Sequence, residues 1–166
     1  MLMTSSAINK KIRNLEDEKQ LLLGKEKQSC TYIQTEGYVP IIPHYDFAET
    51  ETKLMEIDEQ VRKLKHALNK MNSTTKLKNF DMTIDEALVY MAQLNKRKDT
   101  LDEFRQRMPA KRIKSHGYGE SSNLVEYEKV NYDITAVSAK YLEIQDVVNR
   151  LQMDIDYINQ TVEIEI

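Results

Sequence analysis

The sequence is poor in the residues that build loops, disulfides and membrane spans. Its 166 residues include only four glycines, three prolines, one cysteine and no tryptophan. The single cysteine, Cys30, excludes an intrachain disulfide and any metal site made from several cysteines, and a reducing compartment fits it best. No apolar run approaches the roughly 20 residues of a membrane-spanning helix, and the first residues lack a signal-peptide pattern. The sequence therefore predicts a soluble, cytoplasmic protein with no transmembrane segment.

What the sequence does contain is charge. Charged side chains make up 31% of the chain, yet the formal net charge is only −3, so the whole molecule should neither attract nor repel nucleic acid strongly. A high charge content with few glycines and prolines is typical of long exposed helices. Because a chain of this length can bury one hydrophobic core, we predict a single domain over residues 1–166.

Apolar residues recur at steps of three and four in two segments, which is the spacing of a coiled-coil seam. The first seam contains Leu54, Ile57, Val61, Leu64, Leu68 and Met71. The second contains Ile134, Val137, Tyr141, Ile144, Val148, Leu151, Ile155 and Ile158. A third helix is predicted to begin at Thr83, which forms a capping box with Glu86, and to end near Met108, before Pro109. A weaker helix is predicted over residues 1–27.

The two halves of the chain match each other, which predicts an internal repeat of residues 1–80 and 81–166. At a spacing of 87 residues the first seam matches the second, and at a spacing of 86 the residues around Ile8 match those around Leu94. Heptad patterns resemble one another, but matched helix starts, helix ends and connector lengths do not follow from heptads alone. The predicted fold class is mainly all-α, with four long helices in two helix–connector–helix units. These units are expected to bury their seams against each other in an antiparallel coiled-coil-like bundle.

Polar residues at the ends of the predicted helices are typical of structural caps. Asp46 and Asp133 precede the second and fourth helices, where a carboxylate accepts hydrogen bonds from free amide groups. Asn72 and Asn159 stand where these helices are predicted to end, since asparagine tolerates the left-handed conformation found there. Capping therefore explains these four residues without a binding role.

Short strands are predicted after the second and fourth helices and in the connectors. Residues 75–78 and 162–165 alternate with period two, and their opposite charges predict that these two tails pair with each other. Residues 37–43 are apolar but broken by prolines, so they are predicted to lie extended against the bundle. In the second connector, glycines and serines predict a turn that is mobile near Gly119, followed by a strand over residues 124–130.

Candidate catalytic and metal-binding residues are few. His44, His66 and His116 are the only histidines, and none has the i, i+4 partner typical of zinc sites on helices. His44 and Asp46 suggest a metal pair, but a loop histidine beside a helix cap explains the same spacing. No nucleophile motif surrounds Cys30 or the serines, and no glycine-rich phosphate loop occurs. The sequence therefore predicts a protein that is not an enzyme and holds no cofactor or metal.

Charge is unevenly distributed along the chain. Residues 96–114 hold eight basic and three acidic residues, whereas residues 141–166 hold six acidic residues and one basic. The basic residues form a candidate anion or nucleic-acid surface, made of Lys96, Arg97, Lys98, Arg105, Arg107, Lys111, Arg112 and Lys114. A solvated helix face with ion pairs in the bundle is the favoured interpretation, because Asp99, Asp102 and Glu103 are interleaved. The opposed charges also favour contact with a partner or a second copy.

Tyrosines are concentrated in the connectors. Of the nine in the chain, the connectors contain Tyr32, Tyr38, Tyr45, Tyr118, Tyr127 and Tyr132. These side chains either form an adhesive surface, since tyrosine is enriched in interfaces, or pack the connectors onto the helices with the hydroxyl in water.

Several caps and turns resemble those of the septicolysin-like family of small bacterial proteins. The residues that carry the resemblance are Glu36 and Gly37 with Pro40 and Pro43, Met71-Asn72-Ser73-Thr74-Thr75, Thr83-Ile84-Asp85-Glu86-Ala87-Leu88, and Ile158-Asn159-Gln160-Thr161. They are spread over most of the chain. The family's acidic connector is here the more apolar Tyr38-Val39-Pro40-Ile41-Ile42. The resemblance implies no catalytic residues, and the family's name implies action on membranes.

Three functions are consistent with these residues. The leading hypothesis is a non-catalytic helical scaffold or interaction protein that forms a homo-oligomer and has room for a further protein partner. The alternative is a nucleic-acid-binding protein that uses the basic surface over residues 96–114. A membrane-acting, cytolysin-like protein is the third.

Overall fold

The computed structural model describes residues 1–113 and 125–166, and its architecture is mainly helical. Along the described chain the elements are β1 (Leu2–Thr4), α1 (Ser5–Ser29), α2 (Phe47–Thr74), α3 (Ile84–Arg105), β2 (Ala110–Ile113), β3 (Glu126–Lys129), α4 (Ile134–Thr161) and β4 (Glu163–Glu165). The strands form two antiparallel pairs, β1 with β4 and β2 with β3. The predicted fold class, mainly α with a few short strands, is confirmed.

Helices α1 and α2 form an antiparallel hairpin. Ser5 lies beside Met71 at one end of the hairpin, and Lys19 forms an ion pair with Asp58 further along. The seam predicted over residues 54–71 is helical and faces α1. The buried core of this hairpin consists of Ile8, Ile12, Leu15, Ile57 and Leu64. These residues leave water because they lie on the faces that the two helices turn toward each other.

Helices α3 and α4 form a second antiparallel hairpin, and its core continues into the first. The buried residues of this core are Met71, Leu77, Ile84, Ala87, Leu151, Ile155 and Ile158. Met71 belongs to α2, and Leu77 follows it. Burial of these residues therefore stabilises the second hairpin and its junction with the first.

Each helix has one end at a common junction, which we call the hub. The hub contains the starts of α1 and α3, the ends of α2 and α4, the strands β1 and β4, and residues 75–83 between α2 and α3. Ile164 of β4 packs against the cores of both hairpins. Within the described residues, the apolar contacts that join the two hairpins belong to this hub.

The molecule is open rather than bundled. Its accessible surface is 12998 Å², whereas a compact protein of this mass exposes roughly 8,500 Å². A helix of 28 residues is about 42 Å long, so each hairpin extends far from the hub. The expectation that the two halves bury their seams against each other holds only at the hub, where Met71 of the first seam shares a core with Leu151 and Ile155 of the second. Away from the hub, each seam faces the other helix of its own hairpin.

The predicted pairing of residues 75–78 with residues 162–165 is also wrong. β4 pairs with β1 in the register Leu2 with Glu165, Met3 with Ile164 and Thr4 with Glu163. Residues 75–83 form a loop whose two ends are joined by an antiparallel bridge between Lys76 and Thr83. Because each tail leaves its helix at the hub, its nearest partner is the chain that enters the neighbouring helix. The opposite charges of the tails did not determine the pairing.

The two pairings at the hub occupy equivalent places. Thr4 caps α1 and pairs with Glu163, just as Thr83 caps α3 and bridges to Lys76. The starts of α1 and α3 are thus 79 residues apart, from Thr4 to Thr83. The sequence comparison matched residues of α1 and α3 that are 86 apart, which is seven more than the 79 that separate the two helix starts. The match was shifted by one heptad because successive heptads resemble one another.

The chain ends meet within one of these pairings. The Met1 amino group donates to the Ile166 carbonyl oxygen at 3.1 Å, and the Ile166 amide donates to the Met1 carbonyl oxygen at 3.0 Å. In the pairing of Lys76 with Thr83, the same register continued inward places Asn79 opposite Phe80. A peptide bond joins these two residues, where hydrogen bonds join Met1 and Ile166. The hub therefore joins the hairpins twice, once through the chain and once through hydrogen bonds. An origin by internal repetition stays a prediction.

The helix starts lie at the predicted caps. Asp46 accepts from the Glu49 amide at 2.9 Å, and Asp133 accepts from the Thr135 amide at 2.8 Å. The Thr83 hydroxyl and the Glu86 carboxylate form the predicted capping box, in which Glu86 accepts from the Thr83 amide at 2.7 Å. This hydrogen bond holds the pKa of Glu86 below its ordinary value.

Other helix boundaries differ from the predicted ones. The first helix begins at Ser5 rather than at residue 1, because the preceding residues pair with β4. α3 ends at Arg105, before the predicted end near Met108. Asn72 and Asn159 do not end their helices. Both lie inside the last turn, and the extended residues Thr75 and Val162 follow the helix ends.

The second connector contains a pair of strands. The strand predicted over residues 124–130 is observed as β3, whereas the sequence gives no signal for its partner β2. The register pairs Ala110 with Lys129, Lys111 with Glu128, Arg112 with Tyr127 and Ile113 with Glu126. The predicted turn with its mobility near Gly119 lies outside the described residues, as do Lys114 and His116.

Candidate interaction surfaces

The loop between α1 and α2, residues 30–46, exposes a cluster of apolar side chains, and we call it the apolar tip. Ile33 is 88% exposed, and Val39 and Ile41 are each 94% exposed. Tyr38 and Ile42 are exposed as well. Single exposed apolar residues are ordinary on protein surfaces, but a contiguous group marks a contact surface.

The base of the apolar tip is fastened to both helices. The Tyr45 hydroxyl donates to Glu26 Oε1 of α1 at 2.7 Å, while the neighbouring Asp46 caps α2. The hydrogen bond to Glu26 is the main reason why the pKa of Tyr45 is raised to about 12. The loop therefore begins and ends at fixed points on the hairpin.

The loop is also braced internally. Gln34 Nε2 donates to the carbonyl oxygens of Thr35 at 3.1 Å and Tyr38 at 3.0 Å. Gly37 adopts a φ of 83°, a left-handed conformation that glycine adopts without steric cost, and Pro40 restricts the backbone beyond it. These hydrogen bonds fix the turn over residues 34–38, from which the apolar residues 39–42 continue.

The prediction that residues 37–43 lie against the bundle is wrong. The helix ends beside the loop are polar, with Lys25 and Lys27 in α1 and Glu49 and Glu51 in α2. The large apolar residue at the start of α2, Phe47, is itself 63% exposed and is not covered by the loop. The charged residues at these helix ends favour an exposed loop.

The second hairpin carries another exposed surface at the end that lies away from the hub. It comprises residues 105–113 and 125–132, and we call it the basic tip. Residues 105–113 include four basic residues and no acidic one. Every residue of β2 and β3 is exposed. Arg112 lies opposite Tyr127, and Ala110 lies opposite Lys129. Since directly opposed residues and residues two apart share a face, one face of this strand pair is basic and aromatic.

Aromatic and cationic contacts attach the basic tip to its hairpin. The ring of Tyr132 stacks on that of Phe104 with centroids 5.1 Å apart, and its hydroxyl donates to the Phe104 carbonyl oxygen at 2.8 Å. The Arg105 guanidinium lies 4.1 Å from the ring centroid of Tyr141 and pairs with Asp102 at 2.6 Å. Such cation–π contacts hold Arg105 in place.

The structure divides the predicted basic surface into two parts. Lys96, Arg97 and Lys98 lie along α3, two to three helical turns before its end. The other described members lie at the basic tip and comprise Arg105, Arg107, Lys111 and Arg112. Arg105 is engaged with Asp102 and Tyr141, and Arg107 lies 5.4 Å from the ring centroid of Phe104. Lys114 lies outside the described residues.

The connector tyrosines are of two kinds. Tyr45 and Tyr132 fasten the two connectors to their helices through hydroxyl hydrogen bonds. Tyr32, Tyr38 and Tyr127 are exposed. Tyr118 lies outside the described residues. Packing of the connectors thus holds for Tyr45 and Tyr132, although their hydroxyls bind protein atoms rather than water. An adhesive role for the exposed tyrosines stays a prediction.

The hub contains a buried carboxylate that sequence reasoning missed. Asp154 is 8% exposed, and it accepts from the Asn79 amide at 2.9 Å and from Asn79 Nδ2 at 2.6 Å. The two residues are 75 positions apart in the chain, so no local pattern connects them. The arrangement fixes the turn between α2 and α3 onto α4.

Histidine, cysteine and acidic residues are not gathered into a metal site in the part of the chain that the structure describes. His44 is exposed beside the cap Asp46, and Cys30 is exposed at the end of α1. Over residues 1–113 and 125–166, no helix combines the length and the apolar character needed to cross a membrane.

Neither a protein-family model nor a curated protein sequence matches the chain. The chain is similar in structure to a functionally unknown conserved protein from Corynebacterium diphtheriae, with a TM-score of 0.64 and 16% identity. The match covers 99% of this chain and 100% of that chain. At this identity the likeness shows the fold alone, so the two-hairpin architecture is shared along the full length of both chains.

Proposed function

We propose that this protein is a non-catalytic helical scaffold that associates with copies of itself through its tips and leaves the sides of its hairpins open to a further protein partner. The observation that carries the proposal is the apolar tip, in which Ile33, Val39 and Ile41 are almost fully exposed on a braced loop. Removing apolar surface from water contributes about 25 cal/mol per Å². Contact through this loop is therefore strongly favoured, and the helical hairpin serves to hold it far from the hub.

The test is sedimentation velocity and light scattering on the full chain between about 1 and 100 µM. We expect the mean mass to rise with concentration above the monomer mass of 19.5 kDa. A triple variant with serine at Ile33, Val39 and Ile41 should stay monomeric, while Met55→Ser, a change of an exposed residue on α2, should behave as the wild type. A wild-type protein that remains monomeric throughout would contradict self-association.

Nucleic-acid binding is the second candidate, and the exposed basic face of β2 and β3 favours it. Arg112 and Lys129 supply charge there, and Tyr127 supplies a ring for stacking on unpaired bases. Binding to a mixed single-stranded oligonucleotide should weaken steeply with salt and should be lost in an Arg112→Glu, Lys129→Glu variant. Absence of any gel shift at low salt would remove this candidate.

Membrane action, which the resemblance to septicolysin-like proteins implies, would use the apolar tip as an inserting loop. Leakage of a dye from anionic lipid vesicles measures it directly. No release by the wild-type protein would remove this third candidate.

A further inference from the structure

The two tips are complementary in charge. The apolar tip contains the acids Glu36 and Asp46 and no lysine or arginine. Just beyond it, Glu51 adds a further negative charge, whereas Glu49 is paired with Lys53. The basic tip, residues 105–113 and 125–132, contains five basic residues and two acids, Glu126 and Glu128, and so carries a net positive charge. Opposite potentials on two surfaces favour and orient their encounter. The two surfaces belong to one chain, so a second copy of that chain always supplies the complement.

The two tips are also complementary in apolar surface. The basic tip exposes Met108 by 71%, Tyr127 by 56% and Val125 by 48%. These side chains provide an apolar counterpart for Val39 and Ile41 of the apolar tip. Arg112 and Lys129, which flank Tyr127 on β2 and β3, form a charged border around it. An apolar centre with a charged rim is the usual anatomy of a protein interface.

The backbones of the two tips can also pair. Within the described residues, no backbone amide or carbonyl of residues 39–45 hydrogen bonds to another part of the chain. β2 and β3 form a two-stranded sheet with exposed outer edges, and an isolated pair of strands is marginally stable in water. An extended apolar segment added to such an edge satisfies backbone groups on both sides. Pro40 is tolerated in an added strand because the outermost strand has a free edge.

We propose that the apolar tip of one copy docks on the basic tip of the next copy, so that molecules assemble head to tail. This inference rests on the proposed self-association and specifies its two surfaces. Because the contact joins two different surfaces, it leaves one apolar tip and one basic tip free in every dimer. Such heterologous contacts extend into chains or close into rings rather than stopping at two copies.

The experiment uses two full-length variants, each with one tip blocked. The first carries Val39→Arg and Ile41→Arg in the apolar tip, and the second carries Arg112→Glu and Lys129→Glu in the basic tip. All four residues are exposed, so both variants should keep the helical circular dichroism of the wild type. Met153→Arg, a change of an exposed α4 residue far from both tips, is the matched control.

Sedimentation velocity then separates the outcomes. The wild type and the control should form species that grow with concentration, each variant alone should be monomeric, and an equimolar mixture of the two variants should form a dimer and nothing larger. Raising the salt to about 1 M should weaken the assembly of the wild type, since charges contribute to the contact.

Three results would overturn the inference. If the basic-tip variant assembles as the wild type does, apolar tips meet each other. If both variants and their mixture stay monomeric while the wild type assembles, the tips do not complement each other. In both cases self-association stands and only its geometry is wrong. A monomeric wild type would remove the proposed function as well.

Discussion

At the scale of single residues, the interactions that matter most are the ones that tie distant parts of the chain together. Asp154 is buried at the hub, and its partners are amide groups of Asn79 rather than a lysine or arginine. A buried polar group is tolerated only when it is hydrogen-bonded, and removing one partner leaves the other buried without a hydrogen bond. The Asp154 carboxylate therefore stabilises the turn that joins the two hairpins.

We expect Asp154→Ala to lower the free energy of unfolding by about 1 to 3 kcal/mol, because the Asn79 amide loses its acceptor. The control is Asp156→Ala, two residues away on α4, since Asp156 is exposed. Urea denaturation followed by circular dichroism measures both changes. Equal effects of the two substitutions would show that the Asp154 hydrogen bonds do not stabilise the hub.

Tyr45 should titrate abnormally. Its hydrogen bond to Glu26 raises its pKa from 10.0 to about 12, so the folded state favours the protonated phenol. The stabilising contribution is complete below pH 10 and is lost as the pH rises through about 12. Tyrosinate absorbance should include a contribution from Tyr45 that ionises near pH 12, and Tyr45→Phe should remove that contribution. If the substitution leaves the late part of the titration unchanged, the assignment to Tyr45 is wrong.

At the scale of helices and strands, the sequence predicts what is local. The seam residues of α2 and α4, the capping box of Thr83 and Glu86, and the caps Asp46 and Asp133 all depend on spacings within a few residues. Which surface each seam covers was not predictable, because apolar burial has no preferred direction. The partner of β4 was missed for the same reason, since its pairing with β1 depends on how the helix ends meet at the hub.

Two neighbouring residues of α4 provide a test of the seam. Leu151 is 0% exposed and Met153 is 70% exposed. Leu151→Ala should lower the free energy of unfolding by about 2 to 5 kcal/mol, since it removes apolar contacts and leaves a cavity. Met153→Ala should change it by less than about 0.5 kcal/mol. Similar losses for both variants in urea denaturation would mean that α4 presents a different face to the core.

At the scale of the whole molecule, the unpredicted feature is its openness. The apolar character of residues 37–43 is plain in the sequence, but their exposure is not, because it depends on the polar helix ends beside them. The position of the basic tip was likewise hidden, since β2 carries no strand signal of its own. The surfaces that carry the proposed function thus arise from the separation of the two hairpins, which no local pattern encodes.

The two hairpins are joined at the hub once through residues 75–83 and once through the hydrogen bonds between Met1 and Ile166. The chain should therefore fold equally well with the second hairpin placed before the first. A circular permutant that joins Ile166 to Met1 through a short glycine–serine linker and begins at Phe80 should fold with nearly the stability of the natural chain. A second permutant that begins at Lys65 should lose most of its stability because it cuts α2 between its buried residues Leu64 and Met71. Circular dichroism and urea denaturation compare the two. If both permutants unfold alike, the closure between Met1 and Ile166 is not equivalent to the Asn79–Phe80 bond.

The two closures of the hub also bear on how such a molecule arises. One junction between the hairpins is covalent and the other is made of hydrogen bonds, yet both hold the same kind of contact. If the predicted internal repeat reflects a duplication, a shorter polypeptide with a single hairpin would build this architecture as a symmetric dimer of two identical chains. Fusion of two copies of its gene would then convert one junction into a peptide linkage and leave each half free to evolve its own tip.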